Sequence, residues 1–349
     1  MPIQLSVFER WILFKAHLGP GPMVDALSCL GFKACVTALK LGVFRAIDTS
    51  ALTADEVAAA VEADPRGVAI LLEALIALGY IKRRKDRFEN TAMTRHWLLE
   101  SGPTDLTEMF FQFDDMLKRW DYLDDSIKKG SPSLMGWEWL NAHEGSWEHY
   151  HDGLGATARL MEKEIIAGAR VPAQAERLLD LGGSHGMYSV LFCKHHPALR
   201  ATVLDWDMAR RVAEANIAHE GMAGRVTFQE GDFLKDDLAG DQDVVLIFNV
   251  IRIFTPDDLK KLFLKVRAAL APGGLLLILD HLGGKPRTPF VKANSELILL
   301  ELFNSTAGQT HSAASISGWL GEMGFAPCKT ISLLRSPGLG MVRAVKGRA

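Results

Sequence analysis

The run Leu178-Leu179-Asp180-Leu181-Gly182-Gly183-Ser184-His185-Gly186 carries the first chemistry of the chain: an apolar stretch ends in a carboxylate and then turns through glycines. Glycine lets backbone approach a ligand that a Cβ would hold away, so such a turn suits a nucleotide-like molecule. A glycine-rich connection is also an ordinary feature of any α/β domain, and the turn alone does not separate the two readings. The next strand ends narrow the choice. Ala201-Thr202-Val203-Leu204-Asp205 is a second apolar run ending in an acid, where an adenosine site needs a carboxylate to accept both ribose hydroxyls. Residues 226–233 form a third run closing on Gly231-Asp232-Phe233, with an acid for an adenine amino group and an aromatic ring for its face.

Charge then selects among adenosine ligands. A dinucleotide presents a diphosphate, yet Asp180 precedes the turn and no Lys or Arg lies between 178 and 193. A carboxylate there favours a cation or an amine over a diphosphate. S-adenosylmethionine carries both a sulfonium and an ammonium, and NAD carries neither.

These residues require elements to hold them. Residues 177–181, 201–205 and 243–248 read as buried strands, 187–196 and 256–270 as helices, and Pro272-Gly273-Gly274 as a turn into a fifth strand at 275–279. Strands alternating with helices predict a doubly wound, Rossmann-like α/β domain. The N-terminal third reads differently. Residues 24–47 repeat Leu27, Leu30, Cys35, Leu39 and Phe44 at helical spacing. Thr53 to Glu56 forms a capping box opening a helix to Val61, and Asp64-Pro65 opens another that runs to Leu78. Tyr80-Ile81 and Arg87-Phe88 frame a basic turn as two short strands, which completes a mostly helical winged-helix pattern. That pattern also fits a DNA-binding regulator. The third helix argues against it, because after Arg66 it is almost wholly apolar and offers nothing to read base edges.

The chain resembles class I S-adenosylmethionine-dependent methyltransferases over 177–281. Over 25–349 it resembles the caffeic-acid and hydroxyindole O-methyltransferase-like family. The matching motifs are Leu179-Asp180-Leu181-Gly182-Gly183, Gly231-Asp232-Phe233, Arg267-Ala268-Ala269-Leu270-Ala271-Pro272-Gly273-Gly274 and Gly321-Glu322-Met323-Gly324-Phe325. The resemblance implies a homodimer joined through a winged-helix domain at 1–100, a helical linker at 101–170 lining an acceptor pocket, and a donor-binding domain at 171–349. It implies that Asp180, Gly182, Gly183, Asp205, Trp206, Asp232, Phe233, Asn249 and Phe254 hold S-adenosylmethionine. The stretch 110–150 is rich in aromatics, and in the family this region and residues near 294–311 cover the donor. Phe110, Met116, Trp120, Tyr150, Met161, Asn294 and Phe303 are therefore the pocket candidates, and their character implies a flat, largely hydrophobic small-molecule acceptor, a phenol, enol or thiol.

One departure from the family bears on mechanism. In Phe248-Asn249-Val250-Ile251-Arg252-Ile253-Phe254, Arg252 stands where the resemblance places a catalytic His, and a guanidinium cannot take a proton. The family's Gly-x-Glu-Arg-Thr is also replaced, by Gly308-Gln309-Thr310-His311-Ser312, while Asp280 keeps an acid at the end of the fifth strand. Four roles are open. Arg252 binds or ionises an acidic acceptor while transfer proceeds by proximity and alignment; His311 or His281 replaces the base; the fold binds the donor for non-methylating chemistry; or Arg252 only pairs with Asp280 or Asp232.

Composition sets the outer bounds. The 349 residues are 48% apolar with a net charge of −3, enough for two cores and without overall attraction to nucleic acid or anionic membrane. No apolar run approaches the roughly 18 residues of a membrane span, and the N-terminus lacks a signal-peptide pattern. The 4 cysteines show neither metal spacing nor a disulfide framework, which predicts a cytoplasmic protein without a metal.

Overall fold

The computed structural model describes residues 5–16, 18–102, 104–283, 288–336 and 338–347. They form two compact units, Met1–Asp114 and Asp115–Ala349.

In the first unit, α1 (Val7–Phe14), α2 (Met23–Leu41), α3 (Val43–Ala46), α4 (Ala54–Ala60) and α5 (Pro65–Ala77) precede a two-stranded antiparallel wing, β1 (Ile81–Arg84) and β2 (Arg87–Asn90), and then α6 (Ala92–Trp97). Local rules place most of these starts. The Ser6 hydroxyl accepts from the Glu9 amide and the Thr53 hydroxyl from the Glu56 amide, each as half of a capping box. Asp64 accepts from the Gly67 amide at 2.9 Å, and Pro65 takes the first helical position. Cys35, Phe44, Val57, Leu72 and Leu75 pack together as the core.

The single helix expected over 24–47 is two. Gly42 stops α2 with φ +77°, its amide donating back to the Ala38 and Leu39 carbonyls, and α3 restarts directly after it. The apolar spacing continues across this break because both pieces face one core, so periodicity alone hides the turn.

α7 (Thr107–Arg119) contains the division between the units. In the second unit α8 (Leu123–Lys129), α9 (Gly136–Ala142) and α10 (Ser146–Ala169) lead into β3 (Arg177–Leu181), α11 (Met187–His195), β4 (Arg200–Asp205), α12 (Arg210–His219), β5 (Val226–Glu230), β6 (Gln242–Phe248), α13 (Pro256–Ala269), β7 (Leu270–His281), α14 (Pro289–Thr306), α15 (Ala313–Glu322), β8 (Lys329–Ser332) and β9 (Leu339–Val345). The sheet has 7 strands in the order β5-β4-β3-β6-β7-β9-β8. Strands β5 to β7 run parallel, and β9 and β8 are added antiparallel at one edge. β3, β6 and β7 are nearly continuous apolar runs because both their faces are covered. One core lies on each face, around Met161, Leu178 and Phe192 on one side and Leu181, Phe263 and Ile316 on the other.

The fifth strand is longer than the expected 275–279. It pairs with Gln242 through Leu270, and Ala271 to Gly274 are accommodated as a shift of register before Leu275 meets Val244. Pro272-Gly273-Gly274 thus bulges a strand rather than preceding one. Among the described residues no helix is long and apolar enough to cross a membrane. Because Gly42 holds a left-handed conformation that a Cβ disfavours by about 1–2 kcal/mol, Gly42→Ala should lower unfolding free energy by about that amount, while Gly42→Asn should lose less. Chemical denaturation of the three proteins checks the order.

Candidate active site

The parallel strands end along one edge, and the topology sets their terminal residues side by side: Asp180 one residue before the end of β3, Asp205 at the end of its neighbour β4, Gly231-Asp232-Phe233 after β5, and Asn249 after β6. Ligands of doubly wound sheets bind outside this edge, where the strand order reverses.

Asp180 is fully buried, and its Oδ2 accepts from the Ser189 hydroxyl at 2.9 Å. Its Oδ1 has no hydrogen-bond partner among the described residues. Burial raises this carboxyl to about 7, the Ser189 bond opposes the rise, and Asp205 adds to it. An ammonium or sulfonium meets both conditions, since it answers the unpaired oxygen and draws the carboxyl back to its ionised form. The turn beyond is tight. Gly182 has φ +69°, and a Cβ there would come within 2.6 Å of Val250 Cγ2; one on Gly183 would lie 2.6 Å from Asp180 Oδ2. The buried carboxylate with its unpaired oxygen therefore fits a cationic ligand, and the glycines let the turn pack closely against Val250 and Asp180.

Asp205 is oriented by two amides, Ser184 N to Oδ2 at 2.8 Å and Trp206 N to Oδ1 at 2.7 Å, with lone pairs left for two hydroxyls. The Asp232 carboxylate accepts from the Leu234 amide at 3.0 Å and pairs with Lys235 at 2.9 Å. Phe233 lies edge-on to Phe254 at 5.9 Å, and its ring stands 3.5 Å from where a Cβ on Gly182 would be. Trp206 is exposed next to Asp205.

Sequence reasoning passed over the residues that shape the turn from behind. His151 Nδ1 lies 2.8 Å from Ser184 Oγ, its ring stacks on Trp147 at 5.5 Å, and burial lowers it to about 4. His185 Nδ1 accepts from the Met187 amide at 3.1 Å, and burial lowers it to about 3. Both imidazoles are neutral at pH 7 and add no positive charge. Contacts between residues this far apart in the chain, such as Asp180 with Ser189 or His151 with Ser184, leave no local pattern.

At the reacting end, Arg252 Nε lies 2.9 Å from Asp280 Oδ1, although its N–H is not aimed along that line. Its Nη2 donates to Asn249 Oδ1. Asp280 is fully buried; Oδ1 accepts the His281 amide at 2.7 Å, and Oδ2 has no partner among the described residues. Burial pushes the Asp280 carboxyl up, and Arg252 draws it down. Asn249 stands at φ +60°, a conformation Asn tolerates, with its amide on the Leu279 carbonyl at 2.6 Å and its Nδ2 on the Tyr188 hydroxyl at 3.3 Å. The guanidinium is thus fixed by two strand ends. Burial lowers His281 to about 3, and Arg252 adds to the effect. His311 is buried, with Nε2 3.1 Å from the Phe254 carbonyl; as a carbonyl only accepts, that nitrogen carries the proton.

The pocket candidates separate. In the first unit Phe110 stacks on Phe32 at 5.6 Å. In the second, Trp120 Nε1 donates to Glu301 at 2.5 Å, Met161 is fully buried in the sheet core, and Met116, Tyr150, Asn294 and Phe303 are half-buried. Tyr150 meets Trp147 edge-on at 5.9 Å. Its hydroxyl is pushed up by burial, favoured as an anion by Arg252 and Arg119, and opposed by Asp205 and Glu301. Glu301 and Arg119, which the sequence did not single out, therefore share a neighbourhood with both strand-end groups.

The chain is similar to known methyltransferases over both of its parts. Residues 120–326 match the model of an O-methyltransferase domain, and residues 27–100 that of an O-methyltransferase dimerisation domain. The chain is 27% identical over 322 residues to a 3-hydroxy-5-methyl-1-naphthoate 3-O-methyltransferase of Streptomyces sahachiroi, covering 88% of this chain and 90% of that one. It is 25% identical over 334 residues to a tetracenomycin polyketide synthesis 8-O-methyl transferase of Streptomyces glaucescens, covering 90% and 94%. The crystal structure of human N-acetylserotonin methyltransferase in complex with SAM superposes with a TM-score of 0.78 at 21% identity, covering 99% of this chain and 100% of that one.

Asp180 generates a pH signature. A cationic ligand favours its ionised form, so affinity for S-adenosylmethionine should rise with pH up to about 7, by up to about tenfold per unit below that value, and then level. Titration calorimetry in two buffers of different ionisation heat should show proton release near pH 6.5 to about 7. Asp180→Asn should bind more weakly and lose the pH dependence; an unchanged profile removes Asp180 from contact with the donor.

Proposed function

The chain belongs to the S-adenosylmethionine-dependent O-methyltransferase family, and from that premise we propose that it methylates an acidic oxygen, a phenolic or enolic hydroxyl, on a flat natural-product acceptor, with Arg252 acting as a fixed cation where its relatives carry a base. S-adenosylmethionine supplies an electrophilic methyl group on a cationic sulfur. Asp180, Gly182, Gly183, Asp205, Asp232, Phe233 and Asn249 hold it, with Trp206 and Phe254 flanking. Trp120, Tyr150, Asn294 and Phe303 line the acceptor.

The observation that carries the reading is the pairing of Arg252 with Asp280 and Asn249. A guanidinium cannot accept the acceptor's proton, so the hydroxyl must ionise to solvent before or during transfer. Arg252 assists by lowering the hydroxyl's pKa, typically by 1–3 units for an opposite charge within about 4–6 Å. Proximity and exclusion of water do the rest. The first relative acts by name on the 3-hydroxyl of a naphthoate and the second on an oxygen in tetracenomycin polyketide synthesis, which supports an acceptor of this class.

The same family membership supports a homodimer through the N-terminal unit. α1 buries none of its residues within the chain and presents Val7, Phe8, Trp11 and Phe14 to the surface. A helix with such a face is suited to cover, and be covered by, a second copy.

Two measurements test the reading. Against 2-naphthol, kcat/KM should rise with pH along a single ionisation, and Arg252→Gln should move that midpoint up by about 1 unit or more while S-adenosylmethionine affinity is retained. A midpoint that does not move assigns Arg252 to structure alone. Asp205→Ala should weaken S-adenosylmethionine binding by about 1–3 kcal/mol in calorimetry, because a ligand's hydroxyls lose a charged acceptor; unaltered affinity overturns the placement of the ribose.

A further inference from the structure

The tie between α10 and the glycine turn has no part in the donor or acceptor contacts described above. Three residues of that turn, Gly182, Ser184 and Gly186, stand at φ +69°, +44° and +71°. Two of them are glycines, which adopt this conformation freely; Ser184 has a Cβ, which disfavours it. A residue other than glycine keeps such a backbone only where its surroundings over-determine it. Two contacts do so here. The Ser184 hydroxyl lies 2.8 Å from His151 Nδ1, and the Ser184 amide donates to Asp205 Oδ2 at 2.8 Å.

The His151 end of this chain is held firmly. His151 is 4% exposed, and its ring stacks at 5.5 Å on Trp147, one helical turn earlier. Trp147 Nε1 in turn donates to Asn141 Oδ1 at 2.9 Å. Glu148 pairs with Arg211 of α12, but that pair lies at the surface, where an ion pair contributes little. Asp205 has one further amide donor, that of Trp206, its own neighbour in the chain. Among the described residues the Ser184 amide is therefore what connects this carboxylate to another element. Burial pushes the Asp205 carboxyl up, and the Trp206 and Ser184 amides draw it down, so a displaced Ser184 leaves a poorer acceptor.

We propose that His151 and Ser184 are positioning residues for the methyl donor: the His151 side chain holds Ser184 in its left-handed conformation, and the Ser184 amide thereby fixes the Asp205 carboxylate in the orientation that receives the ribose hydroxyls. A glycine at 184 would reach the same conformation without strain, but it would have no hydroxyl for His151. The serine thus lowers local stability and fixes the amide. The inference rests on the placement of the ribose at Asp205 and adds to it two residues that act through that carboxylate.

The test reads two quantities for each variant of the full chain: the dissociation constant for S-adenosylhomocysteine by titration calorimetry, and the melting temperature without ligand. Ser184→Ala keeps the Cβ and loses the hydroxyl, so it should melt lower than the wild type and bind about three- to tenfold more weakly, the range for one lost hydrogen bond. Ser184→Gly relieves the strain, so it should melt higher than Ser184→Ala yet bind no better. A bond that serves stability alone makes affinity follow the melting temperature, and a glycine variant that binds as the wild type does overturns the proposal. His151→Phe keeps a ring to stack on Trp147 and should weaken binding to the same extent. In an Asp205→Ala background it should change affinity by less than about twofold, because the orientation it protects is already gone; a loss as large as in the wild type overturns the proposal. Should His151→Phe not fold, Ser184→Gly decides alone. The Asp205→Ala protein by itself separates the failures. If it binds S-adenosylhomocysteine as the wild type does, the placement of the ribose fails and this inference with it. If its binding is weakened while Ser184→Gly and His151→Phe have no effect, only this inference fails.

Discussion

A carboxylate with one unpaired oxygen sits near the end of β3, the middle one of the five parallel strands, and much of the second unit is arranged to keep it there. Asp180 is the penultimate residue of β3, which is flanked by β4 and β6 and covered on its faces by the two cores, so the carboxylate is fully buried. The parallel order fixes its neighbours as well: Asp205 and Asn249 end the two flanking strands. A lone buried charge of this kind is expensive, and Ser189 answers only one of its oxygens. A cationic ligand is what completes the edge. The glycine turn follows from the same need, since a Cβ on Gly183 would stand 2.6 Å from the carboxylate oxygen.

Much of this edge was readable in the sequence, because each buried parallel strand is an apolar run that ends abruptly in a polar residue. Asp180, Asp205 and the Gly231-Asp232-Phe233 corner all carry that signature. Capped helices were legible for a similar reason, as at Thr53 and Asp64, where the cap contacts a residue three positions on. The break at Gly42 was not, since the apolar spacing continues through it. Nor was β9, whose antiparallel pairing with β7 joins Leu275 to Val345 and depends on packing between distant segments.

The surroundings of α14 were less legible for a physical reason. Which face of α14 turns inward is decided by its neighbours: Gly136 of α9 leaves so little room that a Cβ there would lie 3.1 Å from Ser305 Cβ. That contact turns Glu301 and Asn304 inward with it. A glutamate in an apolar helix reads as a solvent-facing residue until its partners, Arg119 and Trp120, are brought from the other end of the unit. The aromatic stretch was equally ambiguous, for Phe110 stacks on Phe32 in the first unit, whereas Trp120 bonds to Glu301 in the second.

On the proposed reading, Arg252 in place of a base has a consequence for charge. Two like charges 6 Å apart repel by roughly 3 kcal/mol at an effective dielectric of about 20, so an uncompensated guanidinium would oppose a cationic methyl donor. Asp280 eases that conflict. Its carboxylate lies 2.9 Å from Arg252 Nε and is fully buried, so it offsets part of the repulsion between the guanidinium and the donor. Asn249 supplies a neutral second anchor, which fixes the guanidinium without further negative charge. Glu301 does the same for Arg119. Both arginines are held by a carboxylate while part of each guanidinium stays able to donate hydrogen bonds. On the proposed reading, recognition of the acceptor is thereby separated from attraction of the donor, which is left to Asp180 and Asp205.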